Sequence, residues 1–377
     1  MRATVLRDPA LVKLAGRFVW LEIDTEKPGN AGFLERFPVE VWPTFLVVDP
    51  ATEKVALKWL GTATASDLAK LLADGERAVK GPEGKDPAAL LARADRANGS
   101  GDVARAVDLW REALVRAGPS WERRSRVLES LAMALQASDR TQECADLAVH
   151  EAPAMKRTQS FANVVSVGLS CATSAAEEPW APQALGALEP LAAEAVKLPG
   201  ILADDRAGLY DGLVEARKLA KDEAGARRIA EDWWAFLVDQ RKRARGAAAQ
   251  VMLDSWIVSA ALALGDPARA VPLLKASERA APRDYNPPYR LAALYIELGR
   301  YSEALAASDR AVELAYGPRK VRVLSQRATI LESQGDREGA RHVLVDAIHY
   351  SSSLPDSQRN PRLEKRLETK LKQLEES

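Results

Sequence analysis

The spacing of apolar residues divides the chain into two regions of different character. Up to about residue 80, apolar residues occur in short β-branched and aromatic runs such as Thr44–Val48, which ends at Asp49-Pro50. Runs of this length between turn residues are typical of strands, and Asp8-Pro9 and Ser66 are typical helix starts. The sequence therefore predicts strands over 18–24, 44–48 and 54–60, and helices over 10–15, 30–37 and 66–78.

Residues 81–87, Gly-Pro-Glu-Gly-Lys-Asp-Pro, have the composition of a linker, because two glycines and two prolines among charges disfavour both helix and strand. Beyond residue 87 the apolar residues recur at helical spacing nearly to the end of the chain. The predicted fold class is thus an α/β region over residues 1–80 followed by an all-α region.

The helical region contains a repeat. Gly299-Arg300 follows Gly265-Asp266 by 34 residues, and Gly335-Asp336 follows after a further 36. A glycine at this place lets the chain reverse between two helices, and small residues let the helices approach closely. The clearest unit carries both features at Leu291, Ala292, Tyr295, Gly299, Ala304 and Ala311.

This unit resembles a tetratricopeptide repeat, and the resemblance implies an all-α helical solenoid over residues 88–355. A further copy surrounds Gly101-Asp102 and a degraded one surrounds Asp139. Over 158–245 the copies diverge, and prolines interrupt them at Pro179, Pro182, Pro190 and Pro199. Residues 356–377, with leucines on one face of a helix that begins at Asn360-Pro361, are expected to cap the array.

Residues 1–80 resemble a thioredoxin-like domain. The stretch Val41-Trp42-Pro43-Thr44, followed by an apolar strand, is similar to the cis-proline loop of that family. The resemblance implies that Pro43 is cis, and that Trp42, Pro43 and Thr44 form an edge that offers backbone groups to an extended substrate.

The family's Cys-x-x-Cys and the strand before it would fall ahead of Met1. Either the natural protein begins upstream, or the lineage lost the redox centre and kept the remainder as a packing or docking module. The first explanation is favoured, because an open core is costly whereas a misplaced start is a simple error. On either explanation, residues 1–80 as written are expected to be the least stable part and to promote self-association.

Composition excludes several classes of function. Lys plus Arg and Asp plus Glu both number 53, so the chain has no net field to hold nucleic acid. No apolar stretch is long enough to cross a membrane, and the first residues lack the apolar core of a secretion signal. The expected location of the chain as written is cytoplasmic, with no nucleic-acid or membrane partner.

Residues of chemical interest are few. Cys144 and Cys171 are interpreted as core residues without a redox role, and Trp233-Trp234 as one buried and one half-exposed ring. His342 and His349 lack a third ligand, so neither a metal nor a cofactor is expected. The basic run 241–245 is interpreted as a solvated helix end.

Two functions follow. The leading one is a protein-interaction scaffold whose concave repeat face binds a protein or peptide, joined to a redox-inactive thioredoxin-like module. The alternative is a thiol–disulfide oxidoreductase whose cysteines lie upstream of Met1, with Pro43 and Thr44 shaping the substrate edge. The sequence contains no catalytic constellation for the chain as written, and it does not identify the partner or the oligomeric state.

Overall fold

The computed structural model describes residues 5–14, 16–81 and 83–376, which form two compact units. Unit 1 contains the described residues up to Phe18 together with Val41–Ala235. Unit 2 contains Val19–Glu40 together with the described residues from Phe236 onward.

Unit 1 begins with a small α/β element. Strand β1, Thr44–Val48, pairs antiparallel with β2, Val55–Leu60, with Thr44 opposite Leu60 and a bulge after Val47. Helix α1, Pro9–Val12, precedes the hairpin with Asp8 as its N-cap, and helix α3, Ala65–Lys80, follows it. The N-cap of α3 is Thr64 and not Ser66. Trp59, Leu68 and Leu71 are buried where the hairpin and α3 meet.

The rest of unit 1 is a series of helices in which each of α4 to α9 packs against the next. They are α4 (Pro87–Gly99), α5 (Val103–Ala117), α6 (Arg124–Ala137), α7 (Thr141–Glu151), α8 (Gln159–Ser174), α9 (Ala181–Ala195), α10 (Ala203–Leu219) and the first part of α11 (Glu223–Arg243), whose residues from Phe236 onward belong to unit 2. Helices α8, α9 and α10 pack on one another through the proline-containing stretch, and both Trp233 and Trp234 are buried, whereas one was expected to be half-exposed.

Unit 2 contains the clearest repeats. Its helices are α2 (Ala31–Arg36), α12 (Ala247–Val251), α13 (Asp254–Ala263), α14 (Val271–Ala280), α15 (Asn286–Glu297), α16 (Tyr301–Leu314), α17 (Gly317–Ser333), α18 (Arg337–Ser352) and α19 (Pro361–Glu376). Gly265, Gly299 and Gly335 all have positive φ at the turns between paired helices, as the repeat pattern predicts. Leu291, Ala292, Ala304 and Ala311 are fully buried, as is nearly all of Tyr295.

The last helix, α19, covers the end of this series. The Asn360 side chain accepts a hydrogen bond from the Leu363 amide (2.9 Å), as expected of an N-cap. Leu367 and Leu374 are buried in one cluster with Leu344 and Ala347 of α18. Some polar residues of α19 also contact this series: Glu364 accepts a hydrogen bond from the Ser351 hydroxyl (2.7 Å), and Lys370 pairs with Glu332 (2.7 Å).

The prediction of a strand over 18–24 is wrong, and the described part of the N-terminal region holds only a two-stranded sheet. Residues 19–24 belong to neither a strand nor a helix, and Val19 and Leu21 are 89% and 75% exposed. The physical reason lies just downstream, where side chains of unit 2 hydrogen-bond to the carbonyl groups of Thr25, Lys27 and Ala31. A three-stranded thioredoxin-like sheet therefore does not form.

Two further expectations are corrected. Cys144 and Cys171 are fully buried, as expected, but they form a disulfide between α7 and α8, with 6.2 Å between their Cα atoms. Arg241 is buried and not solvated, because its guanidinium donates to the Asp254 carboxylate, to the Ser277 hydroxyl (2.7 Å) and to two backbone carbonyls. Only the remainder of the basic run is exposed.

Helices approach most closely where one of them lacks a side chain. A Cβ at Gly168 of α8 would overlap the Cβ of Ala148 in α7, and a Cβ at Gly99 of α4 would lie 2.7 Å from the Val55 carbonyl oxygen of β2. Gly99 thus lets the hairpin pack directly onto the first repeat. Gly186, on the exposed side of α9, has no heavy atom within 4 Å of the corresponding position.

The Gly168→Ala and Gly186→Ala substitutions should change stability in opposite directions. Gly168→Ala is expected to cost roughly 1–3 kcal/mol, because α7 and α8 must separate. Gly186→Ala is expected to stabilise by about 0.5–1 kcal/mol, because alanine favours a helix more than glycine does. Urea unfolding followed by circular dichroism measures both, and stabilisation by Gly168→Ala would show that the helices are not in contact there.

The disulfide should contribute to stability through the loop of 27 residues that it closes. Replacing both cysteines by alanine is expected to lower the free energy of unfolding by roughly 3 kcal/mol, as should chemical reduction of the unchanged protein. Urea unfolding with and without reductant measures the effect. Two alkylatable thiols in the denatured, unreduced protein would contradict the pairing.

Candidate functional site

Unit 1 contains a cavity of about 510 Å³ that is lined by the β2–α3 loop, α3 and the beginnings of α6 and α8. Its apolar lining includes Trp59, Leu71, Leu128 and Met155, all of which are buried. Its polar lining includes Glu129 and Gln159. The helices that begin at this cavity, α6 and α8, are the first helices of two successive repeats.

Glu129 belongs to a chain of hydrogen bonds between side chains on α6, α8 and α10. The Asn163 amide donates to the Glu129 carboxylate (2.6 Å), and the Gln159 amide donates both to Asn163 (2.8 Å) and to Asp205 (2.8 Å). The Thr62 hydroxyl, from the loop after β2, donates to the same Asp205 oxygen (2.5 Å). The network therefore connects the hairpin with three successive repeats.

Both carboxyl groups of this network are held in a poorly solvated place. Burial raises the pKa of Glu129 to about 7, although hydrogen bonds from Asn163 and Ser160 oppose the shift. Burial likewise raises the pKa of Asp205 to about 6, against the hydrogen bond from Thr62. Glu129 is 3% exposed and forms no ion pair with any residue that the structure describes.

The arginines near the cavity are already paired with other carboxylates. Arg126 contacts Asp95 (2.9 Å) and Asp74 (3.7 Å), and Arg123 contacts Asp74 (3.0 Å). These contacts attach α3 and α4 to α6. Arg124 pairs with Glu151 at 2.6 Å. Glu129 is thus left with neutral amide and hydroxyl partners on the edge of an open space.

The residues predicted for a peptide edge lie outside this cavity. The Trp42–Pro43 peptide bond is cis, as expected, and Trp42 is 53% exposed. The Pro43 carbonyl accepts a hydrogen bond from the Gly61 amide (2.8 Å), and the Thr44 hydroxyl donates to the Val41 carbonyl (2.6 Å). These local bonds hold the loop next to the hairpin. A role for Trp42, Pro43 and Thr44 in peptide binding stays a prediction.

The repeat-signature residues Leu291, Ala292, Tyr295, Gly299, Ala304 and Ala311 belong to unit 2, where they pack helices or form a turn. The cavity residues in unit 1 were not anticipated. A signal for them was present, since Glu129 interrupts an apolar run in α6, and Gln159 and Asn163 are polar residues four apart in an apolar helix. Polar residues on an apolar helix face indicate a partner elsewhere in the fold.

Two properties of the described residues bear on chemistry and location. No three or more His, Cys, Asp or Glu side chains among them are grouped so that they could hold a metal ion. No helix in the described part of the chain has the length and apolarity needed to span a membrane.

A family model for the tetratricopeptide repeat matches residues 261–322. Within these residues the turn glycines Gly265 and Gly299 and the buried Ala292, Ala304 and Ala311 also follow the pattern of that repeat. No curated protein matches the sequence.

Several solved structures match the chain at low similarity. A tetratricopeptide repeat protein from Parabacteroides merdae has a TM-score of 0.48 at 14% identity, covering 78% of this chain and 100% of that one. BtubC from P. vanneervenii has 0.38 at 16% identity, covering 62% and 94%. The TPR2AB domain of yeast Sti1, in a complex with pHSP90, has 0.29 at 14% identity, covering 80% and 99%. These values identify no ligand for this chain.

Glu129 should make stability depend on pH. Below its ordinary pKa of 4.5 the carboxyl is neutral in both states, so burial costs little. As pH rises toward 7 the unfolded state ionises first, so the folded state loses stability by about 3 kcal/mol. Glu129→Gln should remove this loss.

The measurement is urea unfolding of the two proteins from pH 4 to pH 8, with their difference plotted against pH. Glu112→Gln is the matched control, because Glu112 is 40% exposed on α5 and lies outside the cavity. Parallel curves for the unchanged protein and Glu129→Gln would contradict the raised pKa.

Proposed function

We propose that the chain is a protein-interaction scaffold of the tetratricopeptide-repeat class, and that the cavity of unit 1 binds a segment of the partner. The observation that carries this proposal is the position of Glu129, a buried carboxylate without an ion-pair partner among the described residues, on the wall of a cavity of about 510 Å³. The cavity lies at the starts of first helices in successive repeats. The proposal assigns it to the concave, ligand-binding side of the array.

The lining favours a basic side chain as the anchor of that segment. A buried carboxylate is costly unless it is paired with a cation, and the neighbouring arginines are engaged with other acids. An incoming ammonium or guanidinium would supply the missing charge. Trp59 and Met155 would contact the apolar part of a lysine or arginine side chain.

For residues 1–80 we propose a redox-inactive, thioredoxin-like remnant that acts as a docking module. The order β1, β2 and α3 matches the last elements of such a domain. The remnant packs through β2 on α4, and Thr62 reaches Asp205 in α10. The division at 81–87, with repeats over 88–355 and a cap over 356–377, stays part of this proposal.

The test uses the full-length protein and fluorescent nine-residue peptides with one central lysine, measured by fluorescence anisotropy. Glu129→Gln is expected to weaken binding by at least about tenfold, because one partner of a buried charge pair is removed. Glu112→Gln removes the same charge outside the cavity and should leave binding within about twofold.

Equal binding by the unchanged protein and by Glu129→Gln would overturn the assignment of the cavity. Preference for a central glutamate over lysine would overturn the basic anchor. Because Glu129→Gln preserves the shape of the side chain, its fold is checked by circular dichroism before binding is compared.

A further inference from the structure

A second feature lies entirely within unit 2 and involves a turn and a short 3-10 helix of the N-terminal region. Residues 24–31, here called the docked segment, contact the start of α17 and residues 357–358, which lie between α18 and α19. Before the docked segment the chain is far less covered, since Val19 and Leu21 are largely exposed. After it the contacts continue into α2, which packs on residues 356–358 and buries Leu34.

The repeats bind the backbone of the docked segment through side chains. The buried Gln358 amide donates to the carbonyl oxygens of both Thr25 and Lys27, each at 2.9 Å. The Ser357 hydroxyl donates to the Ala31 carbonyl at 3.0 Å. Gln358 is only 5% exposed, so its two bonds lie in a well-covered position.

The repeats also bind two acidic side chains of the segment. The Tyr316 hydroxyl donates to the Asp24 carboxylate (2.8 Å), and the Arg319 guanidinium donates to the Glu26 carboxylate (2.5 Å). The hydrogen bond to Asp24 raises the pKa of Tyr316 to about 12. The acidic residues are spaced Asp-x-Glu. Their two donors, the Tyr316 hydroxyl and the Arg319 guanidinium, are three residues apart at the start of α17.

Gly317 removes the steric obstacle to this contact. Its φ is +53°, and a Cβ there would overlap the carbonyl oxygen of Glu26. A side chain at this position would push the segment away. Beside the segment, a cavity of about 640 Å³ is lined by Asp24, Glu26, Asp284, Tyr285 and Tyr316, which leaves room for larger neighbouring side chains.

We propose that the surface formed by Tyr316, Gly317, Arg319, Ser357 and Gln358 is a docking site for a turn-forming Asp-x-Glu segment of a partner protein. In the isolated chain it is occupied in cis by the docked segment. The surface contacts backbone carbonyl groups and two carboxylates of the docked segment and few of its other side chains. Another chain with the same Asp-x-Glu spacing can therefore replace it. Because the docked segment belongs to the same chain, its effective concentration at the surface is in the millimolar range. A partner therefore replaces it only when the cis contacts are weakened or the partner is present at a competing concentration.

The binding experiment uses a fluorescein-labelled peptide with the sequence of residues 22–32, blocked at both ends, and the full-length protein. Asp24→Ala with Glu26→Ala weakens the cis segment and leaves the docking surface intact. This double variant is expected to bind the peptide at least about tenfold more tightly than the unchanged protein.

Adding Arg319→Ala to the double variant should reverse the gain, again by about tenfold. Arg322→Ala is the matched control, because Arg322 is an exposed arginine on the same helix. The proposal is overturned if the double variant binds no more tightly than the unchanged protein, or if Arg319→Ala and Arg322→Ala have equal effects.

A measurement on the unchanged protein removes dependence on the folding of variants. Hydrogen exchange over residues 24–31 is compared with and without millimolar peptide. Displacement of the cis segment should speed its exchange, while exchange over α16 stays the same. Unchanged exchange at a peptide concentration that saturates the double variant would show that the segment is a fixed part of unit 2 and would overturn the proposal.

Discussion

The close approach of neighbouring backbones is the constraint on which both units depend. Gly168 brings α8 against Ala148 of α7, Gly99 brings α4 against β2, and the fully buried Ala304 and Ala311 have the same role in α16. At these positions even one added methyl group must displace a neighbouring element. The packing of the repeats therefore depends on glycine and alanine at the helix contacts as much as on the large apolar residues. The hairpin packs on the first repeat in the same way, through Gly99.

Close packing leaves little room for water around polar groups, so the buried polar residues of unit 1 bind mainly to one another. Asp74 and Asp95 form ion pairs with Arg123 and Arg126, which attach α3 and α4 to α6. Glu129 has only neutral hydrogen-bond partners in the same network. Carboxylates that already have an arginine partner hold helices together, whereas a carboxylate with only neutral partners is able to receive a charged ligand.

In unit 2, side-chain hydrogen bonds and an ion pair hold the docked segment on the repeats. Its docked segment forms no sheet, so its carbonyl groups need other donors, and Gln358 and Ser357 supply them. Arg319 and Tyr316 add selectivity for the two carboxylates. A repeat surface that binds the carbonyl groups and carboxylates of a short segment in this way has the properties of a peptide-binding surface, whichever chain supplies the peptide.

The sequence alone determined the repeats, the hairpin strands and the short helices, because the turn glycines, small residues and alternating apolar runs act over a few tens of residues. It placed Gly299 at a turn and buried Ala304 correctly. Tertiary structure decided the rest. Whether 18–24 becomes a strand depends on donors over 300 residues away, and the environments of Glu129, Arg241 and the Cys144–Cys171 pair depend on neighbouring helices. Such contacts leave no periodic pattern in the sequence, since each is set by which elements the close-packed backbones bring together.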